Sequence, residues 1–453
     1  MIVDVLPIAM LVALALLLFS GMPVAVLLTG LGVGFSLIGV LIGEMPAQAL
    51  YNIPLRMFGS ISGSLIYPAV VMLLFMGVAL EKSGIARDLL TCLQLLLRRV
   101  PGGLAVAVII IGVILAPAAG LVGASVVTLA LIALPSMLAR GYSAPAATGA
   151  VAAAGTVGII LPPAVMLFLL AGQFQVTIGA MFVATLVPGA ILVGLYLIYY
   201  VGAGALRPPA AATDTDGLPR GVWAWTGLLL RGLVLPAGLV FAVLGSIIFA
   251  WATPPQSGAV GAAGGLVLMA LNRRLTWPVF KDVVVTTTLL SAMVFFIIMA
   301  AAVFSYPFRW FGGDDVIRDG LAALSLGPWG TLAVIVGIIF VLGFFIDWIE
   351  ITVITLPLFV PVLMTLDFSA HVGDPRITLV WMATLVALTL QTSFLTPPFG
   401  FALFFLKGAV PPGVTLLHIY RGIVPIVAAQ LIGIGLLLAF PMLATWLPIE
   451  VFR

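Results

Sequence analysis

Residues 160–172 read ILPPAVMLFLLAG and residues 395–408 read LTPPFGFALFFLKG, two apolar stretches each broken by a proline pair, Pro162-Pro163 and Pro397-Pro398, 235 positions apart. The neighbourhood of each pair repeats as well. Arg87-Asp88 matches Arg318-Asp319 at an offset of 231, Pro101 matches Pro328 at 227, and Pro135 matches Pro361 at 226. Four landmarks in one order at a nearly constant offset mark an internal duplication. The two copies differ in charge. Residues 81–99 carry Lys82, Arg87, Arg98 and Arg99 against Glu81 and Asp88, a net of +2. Residues 309–319 carry Arg309 and Arg318 against Asp314, Asp315 and Asp319, a net of −1. Cations collect on the cytoplasmic side of a membrane, so equivalent segments are expected on opposite faces. That is an inverted-topology repeat, an architecture of secondary transporters with binding sites at the repeat interface. An ordinary polytopic bundle with incidental proline pairs is the alternative.

Composition supports a membrane setting. Of 453 residues, 63% are apolar and 7% charged, with a mean hydropathy of +1.34. Soluble domains carry about 25% charged residues, so a soluble enzyme and a nucleic-acid binder are excluded. One cysteine, Cys92, allows no internal disulfide, and His371 and His418 lie too far apart in sequence to share a helix as a metal pair. Stretches 2–19, 24–43, 61–80, 178–200, 224–252, 284–305 and 414–441 are long enough to cross a bilayer. The first has no preceding Lys or Arg, so it is expected to be a retained helix and not a signal peptide. Shorter or Gly/Pro-interrupted stretches, at 104–116, 121–139, 144–154, 157–172, 331–346, 353–366, 378–390 and 399–406, are expected only where protein or a cavity satisfies the freed backbone groups. Residues 207–221 read as a linker, and Arg273, Arg274 and Lys281 as a second cytoplasmic patch. The expected organisation is scaffold helices at 1–60, a first repeat at 61–206, a linker with central scaffold helices at 207–280, and a second repeat at 281–453.

Each repeat contains two breaks. The first has 118–125 (AAGLVGAS) and Gly155-Thr156-Val157-Gly158 before its proline pair. The second has 345–350 (FIDWIE) and Gln391-Thr392-Ser393 before Thr396 and its pair. Proline is tolerated at the first helical position, so short helices are expected at 163–172 and 398–406. Their N-termini would direct partial positive charge inward, suiting a carboxylate. The candidate substrate residues are accordingly Ser125, Pro163, Ala164, Pro398, Phe399 and Gly400. Hydroxyls of Thr156, Thr392, Ser393 and Thr396, the Gln391 amide and carbonyls around Gly155 and Gly158 are candidate ligands for a hard cation such as Na⁺. The same hydroxyls would otherwise bond to helix backbone. Asp347, three residues before Glu350, is a further cation candidate because ionisable groups at such depth are rare. Proton carriage, bonding to backbone N–H groups, or hydration at a helix end are open for this pair too.

The residues also carry a family resemblance. EKSGIARDLL (81–90), VPGGLAVAV (100–108), ARGYSAPAATGAVAAAGTVGIILPPAVML (139–167), IGAMFVATLVPGAILVGLYL (178–197), FIDWIEITVITLPLFVPVL (345–363) and QTSFLTPPFGFALFFLKG (391–408) resemble, along nearly the whole chain, the large membrane subunit of tripartite ATP-independent periplasmic (TRAP) transporters. The resemblance implies an all-α, polytopic, elevator-type transporter of helical hairpins and broken helices in a bacterial inner membrane. It implies uptake of small organic acids driven by Na⁺, without cofactor or catalysis, and two partners: a small four-helix membrane subunit and a periplasmic substrate-binding protein. Many relatives have Ser after the first proline pair, where this chain has Ala164, and a Ser-rich first break in place of AGLVGAS. The DWIE segment resembles a branch linked to keto- and hydroxy-acids. The rivals are a stand-alone Na⁺/carboxylate symporter, an intramembrane enzyme using Asp347 and Glu350, and a proton-translocating redox subunit. The enzyme would need two carboxylates converging from different elements. The redox subunit would need more intramembrane Lys, Glu or His.

Overall fold

The computed structural model describes residues 2–64, 66–115, 122–206, 222–397 and 400–452. The expected linker at 207–221, residues 118–121 of the first break, and the substrate candidates Pro398 and Phe399 lie outside the described residues. Helices and no strands form the described residues, and six of these helices are long and apolar enough to cross a membrane.

The chain opens with α1 (Ile2–Leu18), α2 (Val24–Leu41) and α3 (Asn52–Ser62). Then come α4 (Tyr67–Lys82), α5 (Ile85–Leu96), α6 (Gly103–Leu115), α7 (Val122–Ala139), α8 (Ala144–Val157), α9 (Val165–Gln173) and α10 (Ile178–Leu206). Helix α11 (Val222–Leu229) runs through a π-turn into α12 (Leu235–Ile248), followed by α13 (Pro254–Leu271). The order of α4–α10 then recurs. It restarts with α14 (Trp277–Trp310), α15 (Gly313–Ala323) and α16 (Gly327–Leu342). A return arm follows, made of α17 (Trp348–Glu350), a π-helical turn (Ile351–Thr355) and α18 (Leu356–Leu363). After the short α19 (Ser369–Val372) come α20 (Pro375–Ser393), α21 (Phe401–Ala409) and α22 (Leu416–Ala439), and α23 (Met442–Val451) closes the chain. Gly84 before α5 and Gly312 before α15 share a left-handed conformation, φ +78° and +79°. The two amphipathic arms therefore enter by the same turn.

Equivalent helices run antiparallel. At the end of α4, Lys82 Nζ lies 2.6 Å from Asp282 at the start of α14. At the start of α4, the Tyr67 ring meets Phe295 in the middle of α14, centroids 5.7 Å apart. Helices α10 and α22 cross in the same sense: Tyr200 lies near Gly422, and Leu192 near Gly433. The last helix of each copy is tied to its broken helix in matching fashion. The Tyr200 hydroxyl donates to Ala146 O at 3.3 Å, and Trp381 Nε1 donates to Leu437 O at 3.0 Å. The expected inverted repeat is thus the observed fold.

Two boundaries differ from expectation. The span expected from 61 starts at Tyr67, and the preceding helical segment Ala47–Ser62 is bent 59° from it. Helix α13 is not among the expected spans because its glycines depress the apolar signal. Those glycines bring it onto α4, as in close-packed membrane helix pairs. A Cβ at Gly258 would stand 2.9 Å from Met72 Cβ, one at Gly261 2.6 Å from Met76 Sδ, and one at Gly265 3.0 Å from Ala79 Cβ. Together α12 and α13 return the chain to the face it left after α10, which places Arg273 and Arg274 beside Lys82 on the cation-rich side. Helix α14, 34 residues and so about 51 Å long, outruns a hydrocarbon core of about 30 Å. It packs on α2, α3 and α4 and forms the spine of the assembly.

Candidate functional site

Each break sits in its own hairpin. Helix α8 is rich in alanine and glycine, and this lets α6 and α7 close on its end. A Cβ at Gly112 would collide with the carbonyl of Ala154, and one at Gly155 with the Val126 side chain. Gly155, Thr156 and Gly158 are therefore buried between the helices of the first hairpin. In the second copy α20 ends against the tip of the other hairpin. A Cβ at Gly343 would collide with Ser393 Oγ. Gln391, Thr392 and Ser393 are buried and Thr396 is half-buried. The cation candidates thus fall into two clusters, one per repeat.

The hydroxyls bond to backbone. Thr156 Oγ1 donates to Ala152 O at 2.9 Å, and Thr392 Oγ1 to Leu388 O at 2.8 Å. Ser393 Oγ donates to Leu390 O at 2.7 Å and Thr396 Oγ1 to Thr392 O at 2.8 Å. Each hydroxyl uses its one proton this way and keeps lone pairs for a cation. Gln391 differs: both its amide oxygen and its amide nitrogen are buried with no protein partner. Buried amides are nearly always paired, so this one marks a position suited to a bound ion or polar group. The donor set suits a hard cation such as Na⁺.

Both short helices begin later than expected, at Val165 and Phe401 in place of 163 and 398. A proline keeps the residue before it out of the α region. Two in a row leave the chain extended until Ala164, the N-cap of α9 at φ −86° and ψ 140°. Gly400 caps α21 at φ +49°, in the left-handed region that side chains with a Cβ avoid. Pro163 and Ala164 therefore belong to the break and not to the helix. The second halves cross over: α9 packs on α20, α18 and the π-turn of the second repeat, while α21 packs on α7 and α8 of the first. Gly123 of α7 makes room for the crossing, since a Cβ there would lie 2.8 Å from the Phe405 ring. Ser125 is elsewhere, lining a small cavity with Glu81 and Thr128 beside the end of α4.

Asp347 and Glu350 form a capping box at the tip of the second hairpin. Asp347 Oδ1 accepts from Trp348 N at 2.7 Å, and Asp347 N donates to Glu350 Oε2 at 3.3 Å. Of the alternatives open from the sequence, backbone bonding is the contact formed. Neither Gly343 nor Phe405 stands out from sequence; a lone glycine four residues before Asp347 in an apolar run is the available signal. Capping separates the roles of charge and shape. Asp347→Asn keeps a cap of equal rank and is expected to leave thermal stability unchanged, whereas Asp347→Ala costs about 1 kcal/mol. If the Asp347→Asn variant melts as low as the Asp347→Ala variant, the carboxylate charge and not the cap holds this turn.

The sequence profile of the family described as "Tripartite ATP-independent periplasmic transporter, DctM component" matches residues 11–443. The chain is 26% identical over 387 residues, 84% of each chain, to the C4-dicarboxylate TRAP transporter large permease protein DctM of Pseudomonas aeruginosa. It is 27% identical over 445 residues to the isethionate TRAP transporter permease protein DctMQ of Oleidesulfovibrio alaskensis, covering 96% of this chain and 64% of that one. In fold it is similar to the YdaH transporter of Alcanivorax borkumensis, with a TM-score of 0.63 at 18% identity, covering 93% of this chain and 98% of that one.

Proposed function

The chain belongs to the DctM component family of tripartite ATP-independent periplasmic transporters, and from that premise we propose that it is the permease through which a small organic acid enters the cell with Na⁺. It is a multi-pass protein of the inner membrane. The observation that carries the proposal is the crossover: each repeat lends its short helix, α9 or α21, to the other repeat's hairpin. The N-terminal ends of both helices follow a buried, hydroxyl-bearing break. This arrangement pairs sites for a cation, at Gly155, Thr156, Gly158, Gln391, Thr392, Ser393, Thr396 and Asp347, with helix N-termini suited to an anion, around Pro163, Ala164, Pro398, Phe399 and Gly400. Ser125 is not among the substrate residues we retain.

The relatives named for C4-dicarboxylate and isethionate support an anionic substrate, carboxylate or sulfonate. The hairpins and broken helices would move as one body against a scaffold of α2, α4, α13 and α14, the elevator motion. A small four-helix membrane subunit and a periplasmic binding protein complete the transporter. The DctMQ relative has further chain beyond the matched part, room for such a subunit. No catalytic step is assigned: Asp347 and Glu350 share one turn and close on each other's backbone.

Proteoliposomes holding this chain and its small subunit test the proposal, with labelled succinate offered as substrate. Uptake is expected only with an inward Na⁺ gradient and the binding protein both present. Uptake with Na⁺ alone would make the chain a stand-alone symporter, and uptake indifferent to Na⁺ would overturn the coupling.

A further inference from the structure

At the end of α14 away from the basic cluster of Lys82, Arg273 and Arg274, a cavity of about 580 Å³ opens. One wall is α3 and α14; the other is α9 and the return arm of the second hairpin. Arg56, Arg309, Gln173, Ser305, Ser60 and Tyr67 supply its polar lining, and no carboxylate lines it among the described residues. The Arg56 guanidinium lies over the Tyr306 ring, 4.7 Å from the centroid. That ring is itself pinned: the Tyr306 hydroxyl donates to Ala49 O at 3.1 Å and accepts from Asn52 Nδ2 at 3.2 Å. Arg309 lies 3.5 Å from Asp314, whereas Arg56 has no ion-pair partner among the described residues. A planar, stacked guanidinium with free donors beside a cavity is built to take a carboxylate.

We propose that this cavity is a vestibule in which the incoming organic anion is first held, its carboxylate accepting N–H donors of Arg56, before it reaches the breaks. The inference rests on reading the chain as an organic-acid importer. The walls carry the geometric argument, since one belongs to the scaffold and the other to elements that lead directly to both breaks. Gln173 ends the short helix that follows the first break, and the return arm leads back to the tip beside Ser393. An uncompensated positive charge in a recess without carboxylates concentrates anions and repels cations.

The test uses Ser305→Cys in the full chain; the native Cys92 is buried, so the introduced thiol reacts. Two methanethiosulfonate reagents of similar size are compared, one bearing a sulfonate and one a quaternary ammonium. The sulfonate-to-ammonium rate ratio is expected to exceed that of free cysteine by about tenfold, as a nearby unit charge produces at intermediate dielectric. Adding Arg56→Gln is expected to remove most of that excess, and Arg56→Lys to retain it. Succinate is expected to slow sulfonate labelling of the parent and not of the Arg56→Gln variant. Arg56 is exposed, so the variants are expected to stay folded, which thermal melts check. A ratio equal to that of free cysteine, or one indifferent to Arg56→Gln, would overturn the vestibule. So would failure of succinate to protect a parent that transports succinate. Loss of the importer reading looks different: the parent takes up no organic acid while its labelling ratio still depends on Arg56.

Discussion

Replacing Gln391 by Leu is expected to stabilise the protein and to disable Na⁺-driven uptake together. The amide is fully buried with neither polar atom paired, and leaving a buried polar group unsatisfied costs about 1–3 kcal/mol. Leucine fills a similar volume without that cost, so the melting temperature should rise by the equivalent amount. If the amide oxygen ligates the ion, the loss of a ligand worth about 3 kcal/mol weakens ion affinity about 100-fold. Uptake at a fixed Na⁺ gradient should then fall steeply and recover in part at high Na⁺. Opposite movement of stability and activity is the mark of a group kept for function. A variant that melts lower and transports normally would make Gln391 a structural residue and remove it from the cation set.

The second large effect is expected at Gly343, where the hairpin tip meets the end of α20. A Cβ there would collide with Ser393 Oγ and stand 2.5 Å from Ser393 Cβ. The hydroxyl can rotate away about χ1 but Ser393 Cβ is fixed by its backbone, so one backbone must shift. Overpacking of this kind costs about 1–3 kcal/mol. In this place it also displaces the tip from the break, so uptake should drop more than stability does. Removing the hydroxyl with Ser393→Ala leaves the Cβ contact and should not help. Ser393→Gly removes both and should recover much of the lost stability, though not uptake, in the Gly343→Ala background, giving a coupling energy of about 1 kcal/mol or more between the two positions. Additive effects, or a Gly343→Ala variant that folds and transports normally, would show that the tip does not rest on α20 in the working protein.

The architecture was legible because the constraints that produce it act along the chain. Charge scarcity dictates the membrane. The recurrence of Arg-Asp, Pro and Pro-Pro landmarks reports the duplication. The opposite charge bias of the two copies reports its inversion, which the Lys82–Asp282 and Tyr67–Phe295 contacts bear out. Helix α13 escaped because spans are sought by apolarity. Its Gly258, Gly261 and Gly265 serve contact with α4, and a glycine contributes to packing while adding almost nothing to hydropathy.

For the candidate site, sequence alone located both breaks, since proline pairs and hydroxyl clusters are local features. The partners of those breaks were settled by the tertiary structure. The contact of Ser393 with Gly343, the passage of α21 over Gly123 and the packing of α9 on the second hairpin join residues whose separation depends on how two antiparallel repeats interlock. That interlock is decided by close approach at small residues, a property of paired surfaces. Likewise, the sequence spaced Asp347 three residues before Glu350 and placed Gln391 in a break before the proline pair. Only the packed structure decided that the two carboxylates cap their own backbone while the uncharged amide is left without a protein partner, because hydrogen bonding in a bilayer interior depends on which donors the fold brings within reach.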